Sequence, residues 1–70
     1  MLIKEVGDTL KERRKLLGIT QVHLAELAEV NVNTIIRIEN AKINPTIDVL
    51  NKIADVLGLQ LSLSIRRTNP

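Results

Sequence analysis

Residues 20–45 constrain the fold more than any other part of the chain. Apolar residues recur there at the three- and four-residue spacing of amphipathic helices, first in residues 21–28 and again in residues 32–40. Residues 29–31 interrupt the pattern, and Asn31 is a favourable N-cap for a following helix. The stretch therefore predicts two short helices joined by a tight turn.

The composition limits what can surround these helices. Seventy residues make one domain, whose core must be aliphatic because the chain has no aromatic residue and no cysteine. Without thiolates, and with His23 as the only histidine, we expect no disulfide and no metal site. A domain this small is marginal on its own, so oligomerisation is the natural supplement. The missing aromatics also disfavour the base-stacking surfaces of single-strand binders.

Other features of the chain exclude several classes of protein. No run has the length of a membrane span, and the N-terminus lacks the long apolar segment of a secretory signal. We therefore expect a cytoplasmic protein that has no membrane partner. The sequence also lacks a nucleophile–base pair, a carboxylate dyad and a phosphate-cradling glycine loop. We expect neither enzymatic activity nor a cofactor.

Two further helical patterns flank the central stretch. One covers about residues 2–17, with Gly18 suited to the turn that ends it, and the other covers about residues 47–57, with Gly58 in the same role. The predicted inward positions are Ile3, Val6, Leu10 and Leu17 in the first pattern and Ile47, Leu50, Ile53, Ala54 and Leu57 in the second. The sequence thus predicts a mainly α, compact four-helix domain over residues 1–58.

After Gly58 the period changes to two. The apolar positions are Leu59, Leu61, Leu63 and Ile65, and they alternate with polar residues. This alternation predicts a strand over residues 59–66, followed by a tail at 67–70. A lone strand leaves its backbone groups unpaired, so we expect it to pair with the same strand of a second copy in a homodimer. The alternative is a disordered or merely packed tail.

The outer face of the 32–40 helix carries the main functional indication. Val32, Asn33, Ile36 and Arg37 share this face. Asn can bond an adenine edge in two places, Arg can bond guanine O6 and N7, and Val or Ile can contact a thymine methyl. The face therefore suits a helix that enters the major groove. The alternative is an ordinary solvent-facing helix that exposes two aliphatic residues.

From Gly18 onward the sequence resembles the lambda-repressor/Cro-like (Xre-type) helix-turn-helix family. The resemblance rests on residues at family spacing, namely Gly18-Ile19-Thr20-Gln21, Leu24-Ala25, Ala28, Val30, Thr34-Ile35, Arg37-Ile38-Glu39, Lys42, Asn44-Pro45 and Ala54-Leu57-Gly58. With the first helix, it covers residues 1–58. It implies a protein that binds double-stranded DNA and regulates transcription.

The resemblance also implies roles for individual residues. The base-reading positions would be Val32, Asn33, Thr34, Ile36 and Arg37. The positions that contact DNA phosphates would be Thr20, Gln21, Asn40 and Lys42. Arg14 and Glu39 match a pair that joins the first and third helices, which makes Arg14 chiefly structural.

The sequence departs from the family pattern at two kinds of position. Glu29 and Ala41 stand where the family usually has glycine, so either the turns are rearranged or backbone strain of about 1–3 kcal/mol is tolerated. Val32 and Ile36 replace the more usual polar readers, which favours an operator contact with thymine methyls.

The C-terminal segment LGLQLSLSIRR is similar to the HipB-type antitoxins, in which such a strand pairs across a dimer. This implies a dimeric repressor of a pseudo-palindromic operator that also binds a kinase toxin of the HipA type. The alternative is a module of the same fold that binds a partner protein instead of DNA. Further apolar residues at Val22, Leu27, Val49 and Val56 could serve that contact.

Overall fold

The computed structural model describes residues 3–62, which form four α-helices in chain order. They are α1 (Ile3–Leu16), α2 (Gln21–Ala28), α3 (Val32–Glu39) and α4 (Ile47–Leu57). The mainly helical four-helix prediction is confirmed. The helices lie within one residue of the predicted ranges wherever the structure describes both. None of the helices in the described part of the chain is long and apolar enough to cross a membrane.

The core is aliphatic and draws on all four helices. Its buried members are Leu10, Leu24, Ala25, Ala28, Ile35, Ile38, Leu50, Ile53, Ala54 and Leu57. Three predicted core positions are wrong. Leu17 is 44% exposed because it lies in the turn after α1. Ile3 and Ile47 are 37% and 73% exposed, and each is the first residue of its helix.

The side of α1 that faces the core also carries two residues that are not aliphatic. Gly7 is buried, and a Cβ atom there would overlap the carbonyl oxygen of Ile38 in α3. The backbones of α1 and α3 are therefore in direct contact at this crossing. Arg14 is buried as well, one turn beyond Leu10. The inward stripe of α1 thus ends on a cation instead of on Leu17.

Side-chain caps begin three of the helices. The hydroxyl of Thr20 accepts from the amide of His23 at 3.0 Å, and that of Thr46 accepts from the amide of Val49 at 3.1 Å. The Asn31 side chain accepts from the amide of Asn33 at 2.8 Å. These bonds satisfy amides that have no acceptor within the helix. The short helices α2 and α3 therefore begin at defined residues.

All four helices end in the same backbone arrangement. Each terminal turn has a residue at positive φ and two hydrogen bonds that return to the last helical carbonyls, as in the Schellman motif. The positive-φ residues are Gly18 (φ 72°), Glu29 (57°), Ala41 (56°) and Gly58 (71°). The turns at Glu29 and Ala41 are therefore not rearranged. At both positions a residue other than glycine adopts the left-handed backbone conformation.

The predicted strand is not supported by the described part of the chain. Leu59 to Ser62 follow α4 without regular secondary structure, and Leu63 and Ile65 lie outside the described residues. Leu59 packs against the core, and Leu61 is 38% exposed. Both border a groove of about 260 Å³ that lies between α1 and α4. The segment therefore begins along the bundle and has no strand partner within residues 3–62.

Candidate nucleic-acid interface

Helix α3 is anchored on one face and open on the other. Ile35 and Ile38 are 1% exposed, and Glu39 is 6% exposed. At 100° per residue, the remaining positions from Val32 to Arg37, apart from Thr34, fall on an arc of about 140° that faces away from this anchor. The helix therefore presents one continuous outer surface.

The structure brings four of the five predicted base-reading residues onto that arc. Asn33 and Arg37 are exposed, whereas Val32 and Ile36 are half-buried at its edge. Thr34 is half-buried and lies on the opposite flank of the helix. Two hydrogen-bonding side chains therefore project furthest, and two aliphatic ones lie beside them.

The N-terminus of α2 holds two of the predicted phosphate-contacting residues. Thr20 is exposed, but its hydroxyl already accepts a hydrogen bond as the helix cap. Gln21 is the first helical residue and is half-buried. Amides in the first turn have no acceptor within the helix, and the helix dipole adds partial positive charge there. This end of α2 can therefore receive an anion.

The loop after α3 holds the other two predicted phosphate-contacting residues. Asn40 and Lys42 are both exposed. The amide of Lys42 donates to the carbonyl of Arg37 at 2.8 Å, and the amide of Ala41 donates to that of Ile38 at 3.1 Å. The left-handed conformation of Ala41 makes both bonds possible. The loop therefore folds back against the last turn of α3.

A buried network connects α1, α2 and α3 behind this surface. Arg14 Nε donates to Glu39 Oε2 at 2.7 Å, and Arg14 Nη2 donates to Glu39 Oε1 at 2.9 Å. Arg14 Nη1 donates to the carbonyl of Ile19 at 2.9 Å. Gln21 Nε2 donates to Glu39 Oε1 at 3.2 Å. Within the described chain, no buried side-chain nitrogen or oxygen lacks a hydrogen-bond partner.

The ion pair in this network is buried. The side chains of Arg14 and Glu39 are 10% and 2% exposed. Hydrogen bonding to Glu39 raises the pKa of Arg14, with burial opposing the rise and the charge of Glu39 adding to it. A raised pKa keeps the stabilising charge of Arg14 in place until the pH passes above that value, beyond the range in which DNA binding is measured.

Two contacts of this region have no clear signal in the sequence. Arg13 Nε donates to the carbonyl of Leu57 at 2.8 Å and so binds the end of α4. The second such contact is the hydrogen bond from Gln21 to Glu39. The family pattern gives these two residues separate roles and so does not predict that they meet. A cation at the end of one helix can stabilise its own dipole, and only the packing shows that Arg13 stabilises a neighbour.

Glu29 is the one acidic residue in the turn between α2 and α3. It is exposed, at φ 57° and ψ 44°. It lies three residues before α3 begins. It therefore places a negative charge near a surface whose other predicted contacts are neutral or positive.

Known proteins match the part of the chain that forms this surface. A family model described as helix-turn-helix matches residues 10–63. The immunity repressor protein of Bacillus phage phi105 is 39% identical over 57 residues, which are 81% of this chain and 40% of that protein. An HTH-type transcriptional regulator of Methanothermobacter thermautotrophicus is 41% identical over 49 residues, 70% of this chain and 71% of that protein.

A third relative is the HTH-type transcriptional regulator PuuR of Escherichia coli, 39% identical over 56 residues, or 80% of this chain and 30% of PuuR. The chain spans less than half the length of the phage repressor and of PuuR. The family match begins within α1 and includes the whole of α2, α3 and α4. The chain belongs to the lambda-repressor/Cro-like (Xre-type) helix-turn-helix family.

Proposed function

We propose that the chain is a non-enzymatic, cytoplasmic DNA-binding transcriptional regulator, a dimeric repressor that reads a pseudo-palindromic operator with α3. The observation that carries the proposal is the outer arc of α3, which projects Asn33 and Arg37 from a helix whose other face is locked in the core. Membership of the family supports it, as do the names of relatives described as repressors or transcriptional regulators.

Discrimination between bases rests on α3. Arg37 bonds guanine O6 and N7, and Asn33 bonds an adenine edge. Val32 and Ile36 contact thymine methyls beside these bonds, with Thr34 at the flank. Since two of these readers are aliphatic, each half-site contains thymine next to the bases that Asn33 and Arg37 bond.

Register on the DNA rests on contacts with the backbone. The amides and side chain at the start of α2, from Thr20 and Gln21, hold one phosphate. Asn40 and Lys42 hold another from the loop that folds back under α3. These contacts carry no sequence information, but they fix the angle at which the arc meets the groove.

The experiment that tests base reading is Arg37→Ala, measured by operator titration after selection of bound sites from random DNA. We expect a loss of roughly 1–3 kcal/mol at one base pair per half-site, with preference relaxed at that pair alone. Lys52→Ala is the control, because Lys52 is an exposed cation on α4. Unchanged specificity in the Arg37 variant would refute the assignment of Arg37 as a base reader.

Dimerisation is the second part of the proposal. Residues 1–58 form the DNA-binding domain, residues 59–66 pair with the same segment of a second copy through Leu59, Leu61, Leu63 and Ile65, and residues 67–70 are a tail. The two copies of α3 would then meet successive major grooves about 34 Å apart. Support comes from the alternating pattern and from Leu61, which is 38% exposed.

A chain that ends at Gly58 should halve the particle mass measured by size-exclusion chromatography with light scattering. The arrangement of α1 to α4, followed by circular dichroism, should persist because the core lies before Gly58. The full-length chain is the control. An unchanged particle mass after truncation would rule out the strand as the dimer contact.

A second candidate function is the binding of a partner protein, with or without DNA. Val22 and Leu27 of α2 are 55% and 52% exposed, so they lie outside the core. Exposed aliphatic side chains of this size favour an apolar contact with another protein. Val49 and Val56 of α4 are half-buried. The resemblance of residues 59–66 to HipB-type antitoxins makes a HipA-type kinase toxin the partner to test. DNA binding weakens steeply with salt, whereas an apolar protein contact does not.

A further inference from the structure

Glu39 receives more hydrogen bonds than an ion pair requires. Two come from Arg14, at 2.7 and 2.9 Å, and a third comes from Gln21 Nε2 at 3.2 Å. The carboxylate is almost fully enclosed, with its side chain 2% exposed. Gln21 is half-buried and stands at the anion-receiving end of α2, so its side chain reaches from that end into the network.

The chemistry of the carboxylate determines how the Gln21 amide is oriented. An ionised carboxylate only accepts hydrogen bonds, so it admits the amide nitrogen of Gln21 and excludes the amide oxygen. That nitrogen carries two hydrogens, and the bond to Glu39 uses one of them. The second hydrogen remains available to another acceptor, and a phosphate oxygen is such an acceptor.

We propose that Glu39 is a positioning residue for DNA-backbone recognition, which holds the Gln21 amide in the orientation that donates to a phosphate before DNA arrives. The inference rests on the proposed function, because it takes Gln21 as a phosphate contact. A side chain that is ordered in the free protein loses less freedom on binding. Glu39 therefore acts on DNA through Gln21 and does not touch it.

Arg14 makes this arrangement compatible with an anion. A lone carboxylate behind Gln21 would repel the phosphate across a short distance. Arg14 meets both carboxylate oxygens, so the pair carries no net charge. Glu39 can then orient the amide without opposing the approach of the DNA backbone.

The first test uses the unaltered protein. The sequence has two glutamines, Gln21 and the exposed Gln60, which is a matched internal control. In free protein, the heteronuclear NOE of the Gln21 side-chain NH₂ group should approach that of the helix backbone, while that of Gln60 should be low. Equal mobility of the two side chains would overturn the proposal.

The second test is a double-mutant cycle on operator affinity with Gln21→Ala and Glu39→Gln. The amide introduced by Glu39→Gln has nearly the same shape as the carboxylate but could turn its own NH₂ group toward Gln21, so the orientation would no longer be imposed. We expect Gln21→Ala to weaken binding roughly 3- to 10-fold, the worth of one hydrogen bond. Glu39→Gln also leaves the charge of Arg14 unneutralised in both backgrounds, so we expect it to be more harmful to binding in the parent chain than in the chain with alanine at position 21.

Independent, multiplying effects of the two substitutions would overturn the positioning role, since a purely structural Glu39 would matter equally whether or not Gln21 is present. Circular dichroism checks that each variant is folded, and if Glu39→Gln does not fold, the NMR comparison decides alone. Failure of the proposed function is separate. If Gln21→Ala binds as tightly as the parent, then Gln21 is not a phosphate contact and Glu39 positions nothing for DNA.

Discussion

The four helix ends share one backbone motif but not one residue type. Glycine occupies the positive-φ position after α1 and α4, at Gly18 and Gly58, whereas Glu29 and Ala41 occupy it on either side of α3. An L-residue in this conformation costs roughly 1–2 kcal/mol that glycine does not. Among these four turns of the described chain, the strain therefore lies in the two that flank α3.

The fold tolerates this strain because α3 is held independently of its turns. Two of its aliphatic residues are 1% exposed in the core, and Glu39 in its last turn is clamped by Arg14. Each strained turn also forms both of its backbone hydrogen bonds. The comparison indicates that positive φ at Glu29 and Ala41 is imposed by tertiary packing, whereas Gly18 and Gly58 favour it locally.

Arg14→Met should have the largest effect on the stability of the fold. It removes both hydrogen bonds to Glu39 and leaves that carboxylate buried without a cation. We expect a loss of about 3–5 kcal/mol in the free energy of unfolding, measured by urea denaturation followed by circular dichroism. The measurement should be made at neutral pH, which lies far below the raised pKa of Arg14, so that Arg14 is charged in the parent.

Lys4→Met is the matched control for that experiment. Lys4 and Asp8 also form an ion pair at 2.7 Å, but their side chains are 78% and 49% exposed. Its loss should leave the urea midpoint nearly unchanged, because solvent screens an exposed ion pair. If both variants lose the same small amount, burial of the Arg14 pair does not anchor α3.

Substituting alanine for the glycines should bring strain to the two relaxed helix ends. For Gly18→Ala we expect a loss of about 1 kcal/mol, since space around the position is open and only φ opposes a side chain. Gly58→Ala should cost more, up to about 2 kcal/mol, because a Cβ atom would lie 3.3 Å from Arg13 Nη2. Thermal melts should show both losses, and gains in stability would contradict the strain argument.

The reverse substitution should relieve a strained end. Ala41→Gly is expected to raise stability by about 1 kcal/mol, a rise of roughly 4–8 °C in Tm for a domain this small. Ala25→Gly, inside α2, is the control and should lower Tm, because glycine there leaves a buried helical position without its methyl group. An unchanged or lowered Tm for Ala41→Gly would mean that the turn is not strained.

Much of this architecture follows from local rules in the sequence. Helical spacing, threonine and asparagine caps and two glycines are sufficient to predict four helices, because each acts within a few residues. The outer arc of α3 was also predictable, since Ile35 and Ile38 define the opposite face. The same spacing failed at Ile3, Leu17 and Ile47, which lie at helix ends, where a helical position no longer implies burial.

The remaining features depend on how the helices pack. Arg13 and Arg14 are adjacent and chemically identical, yet one binds the carbonyl of Leu57 and the other binds Glu39. The resemblance to the family assigns Glu39 to Arg14, but nothing in the order of residues assigns Leu57 to Arg13. Gln21 likewise reads as a DNA contact, and its bond to Glu39 appears only when α2 lies against α3.

Gly7 fixes the distance between α1 and α3 through direct contact between their backbones. Because a Cβ atom there would overlap the carbonyl oxygen of Ile38, the separation of α1 and α3 is set by backbone alone and no side chain can adjust it. Most helix crossings can drift during evolution as side chains of different size are exchanged. This one cannot, so residues on the outer arc of α3 can be exchanged while the distance between α1 and α3 stays constant.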